Sequence, residues 1–311
     1  MNTVTKKVAL LTTLLVIALI AGCSQQEPAG DGKLTVVTST AMIADVVRTV
    51  AGDLAVVETI IPPGVSPHLY KPTVKDISRL READLVFYIG LGFEHQLSSL
   101  LDTMVDVHAV SFGLAVPHSE LIRADTNTFD PHFWMDVKLW TVAADNIHAS
   151  LLSIDSNNVT TYRNNASRLL DSLMALNQEI IQRTRDVPED NRELVTTHDC
   201  LSYFARAYGF ETMAVRDFSG AVPGQPGARA QQVADYVIEN GVPALFAEAG
   251  MPPDDIGGVQ QIVKERAQMQ FGPNVISPIY VDNVGKREAT GYISMMRHNL
   301  NTIVTSLRNR E

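Results

Sequence analysis

Apolar positions along this chain fall into two rhythms. LTVVTS (34–39) is a short apolar, β-branched run, and AMIADVVRTVAG (41–52) follows with helical spacing and a terminal glycine. AVVETIIPP (55–63) is strand-like and stops at prolines, residues 73–83 read as a helix, and DLVFYIG (84–90) is a further buried strand. Strand alternating with helix predicts a parallel α/β sheet. The same alternation restarts at ELVTT (193–197). It runs through LSYFARAYG (201–209), FETMAV (210–215), RAQQVADYVIENG (229–241), PALFAEA (243–249), DDIGGVQQIVKERAQM (254–269) and VISPIYVD (275–282), and closes on a helix over GYISMMRHNLNTIVTSL (291–307).

Between the two blocks the pattern changes. From Asp155 to Thr184, Tyr162, Leu169, Leu170, Leu173, Leu176, Ile180 and Ile181 fall roughly at three- and four-residue steps, with no proline or glycine among them. At about 1.5 Å per residue such a helix would be about 45 Å long, longer than one lobe needs, so it reads as a connector. The alternative is two shorter helices broken near Asn164–Asn165. The fold expected is therefore α/β, with two lobes on parallel sheets (33–154 and 187–311), joined by one long helix (155–186), and a cleft between them.

The first residues do not belong to that fold. Lys6 and Lys7 precede the apolar run VALLTTLLVIALIAG (8–22), which ends at Cys23. A basic start, an apolar stretch and small residues before a cut site make residues 1–22 an export signal. Ile20-Ala21-Gly22-Cys23 resembles a bacterial lipobox, which implies a lipidated Cys23 as the first residue of the mature chain, and residues 23–32 read as a polar tether. One acyl chain holds a membrane only marginally, so stable anchoring takes more than one. Removing residues 1–22 takes away two lysines and no acid, moving the formal charge from −10 to −12. An acidic exported protein is a poor partner for nucleic acid and a tolerable one for cations. With Cys23 lipidated, Cys200 is the one remaining thiol and no internal disulfide can form.

Four polar residues have telling positions. His68 lies in SPHLYKP, just past the strand ending at Ile61; His132 lies in DPHFWMD; His198 follows the strand ELVTT; Asp282 ends the last strand, in IYVDNVG. Open α/β sheets bind ligands outside the carboxyl ends of their strands, and three of the four sit at or just past such ends. Two come from each lobe, so they can converge on the cleft. Three imidazoles and a carboxylate suit Zn²⁺ and can hold Mn²⁺ or Fe²⁺. A metal-bound ring needs its other nitrogen anchored, and Asp130, Asp136 and Asp199 are near enough in sequence to serve. His95 reads as a cleft-rim or core residue, and His108, His118, His148 and His298 as surface or structural. Cys200 reads as a small buried hydrophobe, and Glu248 as a buried acid that could stand behind the ligands.

Taken in order, SPHLYKPTVKD, GLGFEHQ, DPHFWMD, VTTHDCLSYFARAYGF, LFAEAG, IYVDNVG and GYISMMRHNLNTIV resemble the cluster A-I (cluster 9) solute-binding lipoproteins that feed zinc and manganese ABC importers. The resemblance spans about residues 33–308. It implies two α/β lobes on one long helix, with a metal held between them by His68, His132, His198 and Asp282; the third position is glutamate in some members and histidine in others. It also implies a monomer that carries Zn²⁺ or Mn²⁺, with Fe²⁺ a further candidate, to an ABC permease and its ATPase. Such a protein would be anchored to the bilayer through Cys23, on the extracytoplasmic face or in the periplasm. The chain departs from the family pattern at Ser66 and Lys71, where acids are usual. It lacks the His-rich loop of zinc-specific members between Phe112 and Phe129, and the loop GAVPGQPGA (220–228) is unusually rich in glycine and proline. The competing reading is an exported zinc metallohydrolase using the same ligands. The chain has no HExxH or G-x-S-x-G, and four protein ligands leave no open position for a reactive water. Binding without catalysis is the expectation.

Overall fold

The computed structural model describes residues 32–308 apart from 125–126, 221–226, 269–272 and 286–288. The export segment, Cys23, nearly all of the tether and most of the loop 220–228 lie outside the described residues. Two four-stranded sheets are built from β1 (Leu34–Thr38), β2 (Ala55–Thr59), β3 (Leu85–Tyr88) and β4 (Ala109–Ser111), then β5 (Glu193–His198), β6 (Glu211–Arg216), β7 (Ala244–Glu248) and β8 (Asn274–Ile279). Their orders are β2-β1-β3-β4 and β6-β5-β7-β8, with every pairing parallel. The two lobes thus share one topology. In each, the chain moves outward to one side of the first strand and then crosses to the other, which opens a crevice at the strand ends.

Helices cover both faces of each sheet, so the strands are apolar on both sides. Val36 and Val37 are adjacent in β1 and point opposite ways; Val36 joins a large cluster that also takes in Leu194, Ala244 and Phe246 of the second sheet. Val37 joins a separate cluster with Ile61, Leu80, Val86 and Leu97. The outer face of the second sheet, through Val195 and Leu245, has its own. The inner faces of both lobes therefore share one core, which makes a single body of the chain from Leu34 on.

The connector is a helix, α5 (Val159–Arg183), unbroken through Asn164–Asn165 and flanked by short 3₁₀ turns at Ser156–Asn158 and Thr184–Asp186. It is shorter than the 155–186 expected because Asp155 ends the preceding helix and takes hydrogen bonds from Asn158 Nδ2 and Tyr162 OH, both at 2.7 Å. Tyr162, Ala166, Leu169, Leu173, Leu176 and Ile180 form its buried stripe. That stripe packs on α1 (Ala41–Ala51), on α4 (Val137–Ile154) and on α9 (Tyr292–Leu307). The closing helix α9 thus spans the lobes. Its first backbone N–H donates to Asp45 Oδ2 of α1 at 2.8 Å, and the Tyr292 hydroxyl donates to the Trp134 carbonyl at 2.6 Å. Leu173 is fully buried at the middle of the stripe. Leu173→Ala is expected to destabilise the fold by about 2–5 kcal/mol, since it removes the side chain beyond Cβ and leaves a cavity between helices. Urea unfolding followed by circular dichroism, with an unchanged slope, checks it.

Candidate metal centre

Four separate segments deliver the four polar residues to one place. The loop leaving β2 tightens into a 3₁₀ turn at Pro67–Leu69 that carries His68. His132 stands immediately before the turn Phe133–Met135, which leads into α4. His198 is the last residue of β5, and Asp282 lies just past β8. His132 and His198 are completely buried and Asp282 is 7% exposed. The His68 side chain is 5% exposed although its loop is at the surface.

The donor atoms meet at close range. His132 Nε2 and His198 Nε2 are 3.4 Å apart, and Asp282 Oδ1 is 3.4 Å from the first and 3.3 Å from the second. His68 Nε2 is 3.7 Å from Asp282 Oδ2. A tetrahedral zinc ion with bonds of about 2.0–2.1 Å sets its ligands about 3.3–3.4 Å apart, so three of these edges already have that length. Among the described residues His68 Nε2 and Asp282 Oδ1 have no hydrogen-bond partner. Buried polar atoms are rarely left so, and here both face the same point. Phe93 closes the wall, with its ring 4.8 Å from that of His68 and 5.9 Å from that of His132; Trp134 lies 5.1 Å from His132.

Behind the rings stand acids, and sequence proximity did not identify all of them. Asp130 Oδ1 is 2.7 Å from His132 Nδ1 and also accepts the His132 backbone N–H at 2.9 Å. Asp136 instead caps α4 by accepting from the Lys138 N–H, and Asp199 accepts from the Ser202 hydroxyl. The acid beside His198 is Glu248, at the end of β7, with Oε1 3.2 Å from Nδ1. That is ion-pair distance, but the alignment is wrong for a hydrogen bond, and among the described residues Nδ1 has no such partner. Glu248 accepts the N–H groups of Thr197 and His198, both at 3.0 Å, and the Cys200 thiol at 3.4 Å. Cys200 is thus buried, as expected, and also bonded.

A comparable buried acid, Glu94, serves the first lobe. It accepts from the N–H groups of Ile89 and Gly90 and from the Ser39 hydroxyl. These bonds hold the left-handed turn Gly90-Leu91-Gly92, with φ of 78°, 55° and 83°, which aims Phe93 at His68. Its signal in the sequence was a charged residue directly after an aromatic one in GLGFEHQ. The lobes are tied together around the centre. Trp134 Nε1 donates to the Val281 carbonyl at 2.8 Å, and the Tyr203 hydroxyl donates to the Asp130 carbonyl at 2.7 Å.

The other histidines stay apart. His95 opens α3 (His95–Leu101) and is exposed, so it is not a core residue, and His108 and His118 are exposed as well. His148 faces Asp145, and His298 bonds the Pro278 carbonyl. Lys71 is at the surface, whereas the Ser66 hydroxyl oxygen is buried without a hydrogen-bond partner among the described residues. Ser66 lines a cavity of about 170 Å³ that reaches Asp282 and runs between the loop at Gly64–Ser66 and the one at Asn283–Gly285. A larger cavity of about 680 Å³ lies between α1, α5 and α9 and contains none of the four residues.

Electrostatics prepares the centre for a cation. Burial holds His68 down to about 4 against the pull of Asp282, leaving its ring neutral and its lone pair available at neutral pH. Burial would raise Asp282, but His198 and His68 outweigh it and keep the carboxylate well below its usual range. Burial would lower His132, but Asp130 and Asp282 overcome it and raise the ring. Two Nε2 atoms 3.4 Å apart cannot both carry a proton between them, so that edge holds at most one. A raised value means that the proton is present below it and must be displaced by a metal, so affinity falls as pH falls through it; His68 adds to that loss only near pH 4. Zinc binding is expected to release protons and to tighten as pH rises through the raised His132 range. Calorimetry in two buffers of different ionisation enthalpy measures this, and a buffer-independent heat would contradict it.

Comparison with known proteins returns a consistent set. The family model for the zinc-uptake complex component A, periplasmic (ZnuA), matches residues 36–306. The chain is 31% identical over 284 residues to the zinc-binding protein TroA of Treponema pallidum, covering 91% of each. It is 32% identical over 310 residues to the manganese-binding lipoprotein MntA of Halalkalibacterium halodurans, covering 97% of this chain and 99% of that one. The solved structure of the periplasmic zinc-binding protein TroA from Treponema pallidum superposes with a TM-score of 0.85 at 29% identity, covering 89% of this chain and 100% of that one.

Proposed function

This chain belongs to the zinc-uptake complex component A family of metal-binding ABC-importer components, and from that premise we propose that His68, His132, His198 and Asp282 hold one divalent metal ion as cargo. The family consists of solute-binding proteins and not of enzymes, so the exported metallohydrolase reading has no support. The cargo is Zn²⁺ or Mn²⁺, with Fe²⁺ a further candidate, and the protein hands it to a membrane permease driven by an ATPase. In this reading residues 1–22 are removed, and a lipidated Cys23 anchors a monomer at the extracytoplasmic face of the membrane. Residues 33–154 and 187–311 act as the two lobes on the connector 155–186.

The observation that carries the reading is the convergence of four donors at metal-ligand spacing, in a buried centre, with His68 Nε2 and Asp282 Oδ1 unpartnered among the described residues. Four protein ligands complete a tetrahedron and leave no position for a reactive water. Three imidazoles favour zinc, and intrinsic affinity runs the same way, since Zn²⁺ lies above Mn²⁺ in the divalent series. Asp282 has Oδ1 toward the two buried rings and Oδ2 toward His68. Bidentate binding through both oxygens would add a fifth bond, which suits manganese.

Equilibrium dialysis of the soluble chain lacking residues 1–23 against Zn²⁺ and against Mn²⁺ tests the proposal. One equivalent of at least one metal retained is the expected result. Neither metal retained after reconstitution would end the reading.

A further inference from the structure

The ring of His198 has donors at both edges. Nε2 faces the centre described above. Nδ1 faces Cys200 Sγ and the Glu248 carboxylate, and the donor atoms of these three residues lie within 4.8 Å of one another. His198 and Cys200 are fully buried and Glu248 is 5% exposed. Among the described residues Nδ1 has no hydrogen-bond partner although Glu248 Oε1 is 3.2 Å away, and Sγ is 3.4 Å from that same oxygen. Around a tetrahedral ion with bonds of about 2.0–2.1 Å to nitrogen and oxygen and about 2.3 Å to sulfur, such edges would be about 3.3 and 3.6 Å. A buried ring nitrogen, a thiol and a carboxylate thus stand near coordination spacing.

We propose that His198 Nδ1, Cys200 Sγ and the Glu248 carboxylate form a second station for a thiophilic divalent ion, on the far edge of the ring that serves the first centre. Binding there replaces the S–H bond of Cys200 by a metal–sulfur bond, and the thiol proton leaves to solvent with the ion's waters. A neutral imidazole has one lone pair, so Nδ1 ligates only when Nε2 carries the ring proton. The two stations therefore exclude each other while the ring is neutral. Thiolate selects soft ions and is a poor ligand for Mn²⁺. The station would thus hold Zn²⁺ or Cd²⁺ behind the first centre while leaving Mn²⁺ in front. Glu248 is placed for the station because it already accepts the His198 backbone N–H and faces Nδ1.

The inference rests on His198 being a cargo ligand, and the test separates the two claims. Cd²⁺ serves as the probe, read by its thiolate charge-transfer absorption and by the ¹¹³Cd chemical shift. His68→Ala/Asp282→Asn removes two donors of the first centre and leaves the station intact. With one equivalent of Cd²⁺ that variant is expected to show the thiolate band, Mn²⁺ is expected to give none, and adding Cys200→Ser is expected to abolish the band. Circular dichroism confirms the fold. If that variant does not fold, the single variant Asp282→Asn with one equivalent of Cd²⁺ is expected to show a sulfur-shifted ¹¹³Cd resonance that adding Cys200→Ser removes. A parent that takes up one equivalent of metal while no thiolate signal arises in either variant overturns the second station alone. A parent that takes up none overturns the reading of the first centre.

Discussion

His132→Ala is expected to weaken zinc binding by about 10²–10³-fold. Closed four-ligand zinc sites are worth about 10–16 kcal/mol, so one ligand in four accounts for about 2.5–4 kcal/mol, which is that factor in affinity. His132 is the sharpest choice because its ring is completely buried and its Nε2 is within 3.4 Å of both the His198 ring and Asp282. The backbone N–H of residue 132 still bonds Asp130 in the variant, so that carboxylate keeps one partner. Competition against a chelator of known affinity measures the change. Affinity within threefold of the parent would mean that His132 is not a ligand.

Glu248 carries the second large effect, and it divides into stability and affinity. Its two oxygens accept the N–H groups of Thr197 and His198, both fully buried at the end of β5. Glu248→Ala leaves both donors unpaired, at about 1–3 kcal/mol each, and is expected to destabilise the metal-free protein by about 2–6 kcal/mol. Glu248→Gln keeps the shape but turns a donor toward donors, so it is expected to loosen His198 and weaken metal binding about 10–100-fold, the usual cost of losing an outer partner. Denaturant unfolding of the metal-free forms and chelator competition on the Gln variant separate the two. Unchanged stability in the Ala variant would show that the two N–H groups have other partners.

Much of this architecture is legible in the sequence because two simple rules agree. Strand and helix rhythms set the sheets, and the rule that ligands gather at strand ends pointed to His68, His198 and Asp282 as candidates. The long helix was readable from Tyr162 to Ile180 because its stripe has no interruption. Other features depend on contacts that a periodicity does not encode. Residues 137–154 form α4, but alanines and the polar run Asp145-Asn146 dilute its apolar stripe. The helix α9 shows an apolar face without showing that its partner is α1, since Tyr292 and Asp45 are 247 residues apart. The choice among nearby acids followed sequence distance. Asp130 does reach its ring, while Asp199 turns to Ser202, and Glu248 reaches His198 from 50 residues away because β5 and β7 are neighbours.

The most direct test of the centre is the anomalous difference density of a zinc-loaded crystal, recorded on both sides of the zinc absorption edge. The account predicts one peak about 2.0–2.2 Å from His68 Nε2, His132 Nε2, His198 Nε2 and a carboxylate oxygen of Asp282. A single peak bound by other residues, with these four side chains still facing one another, would contradict it.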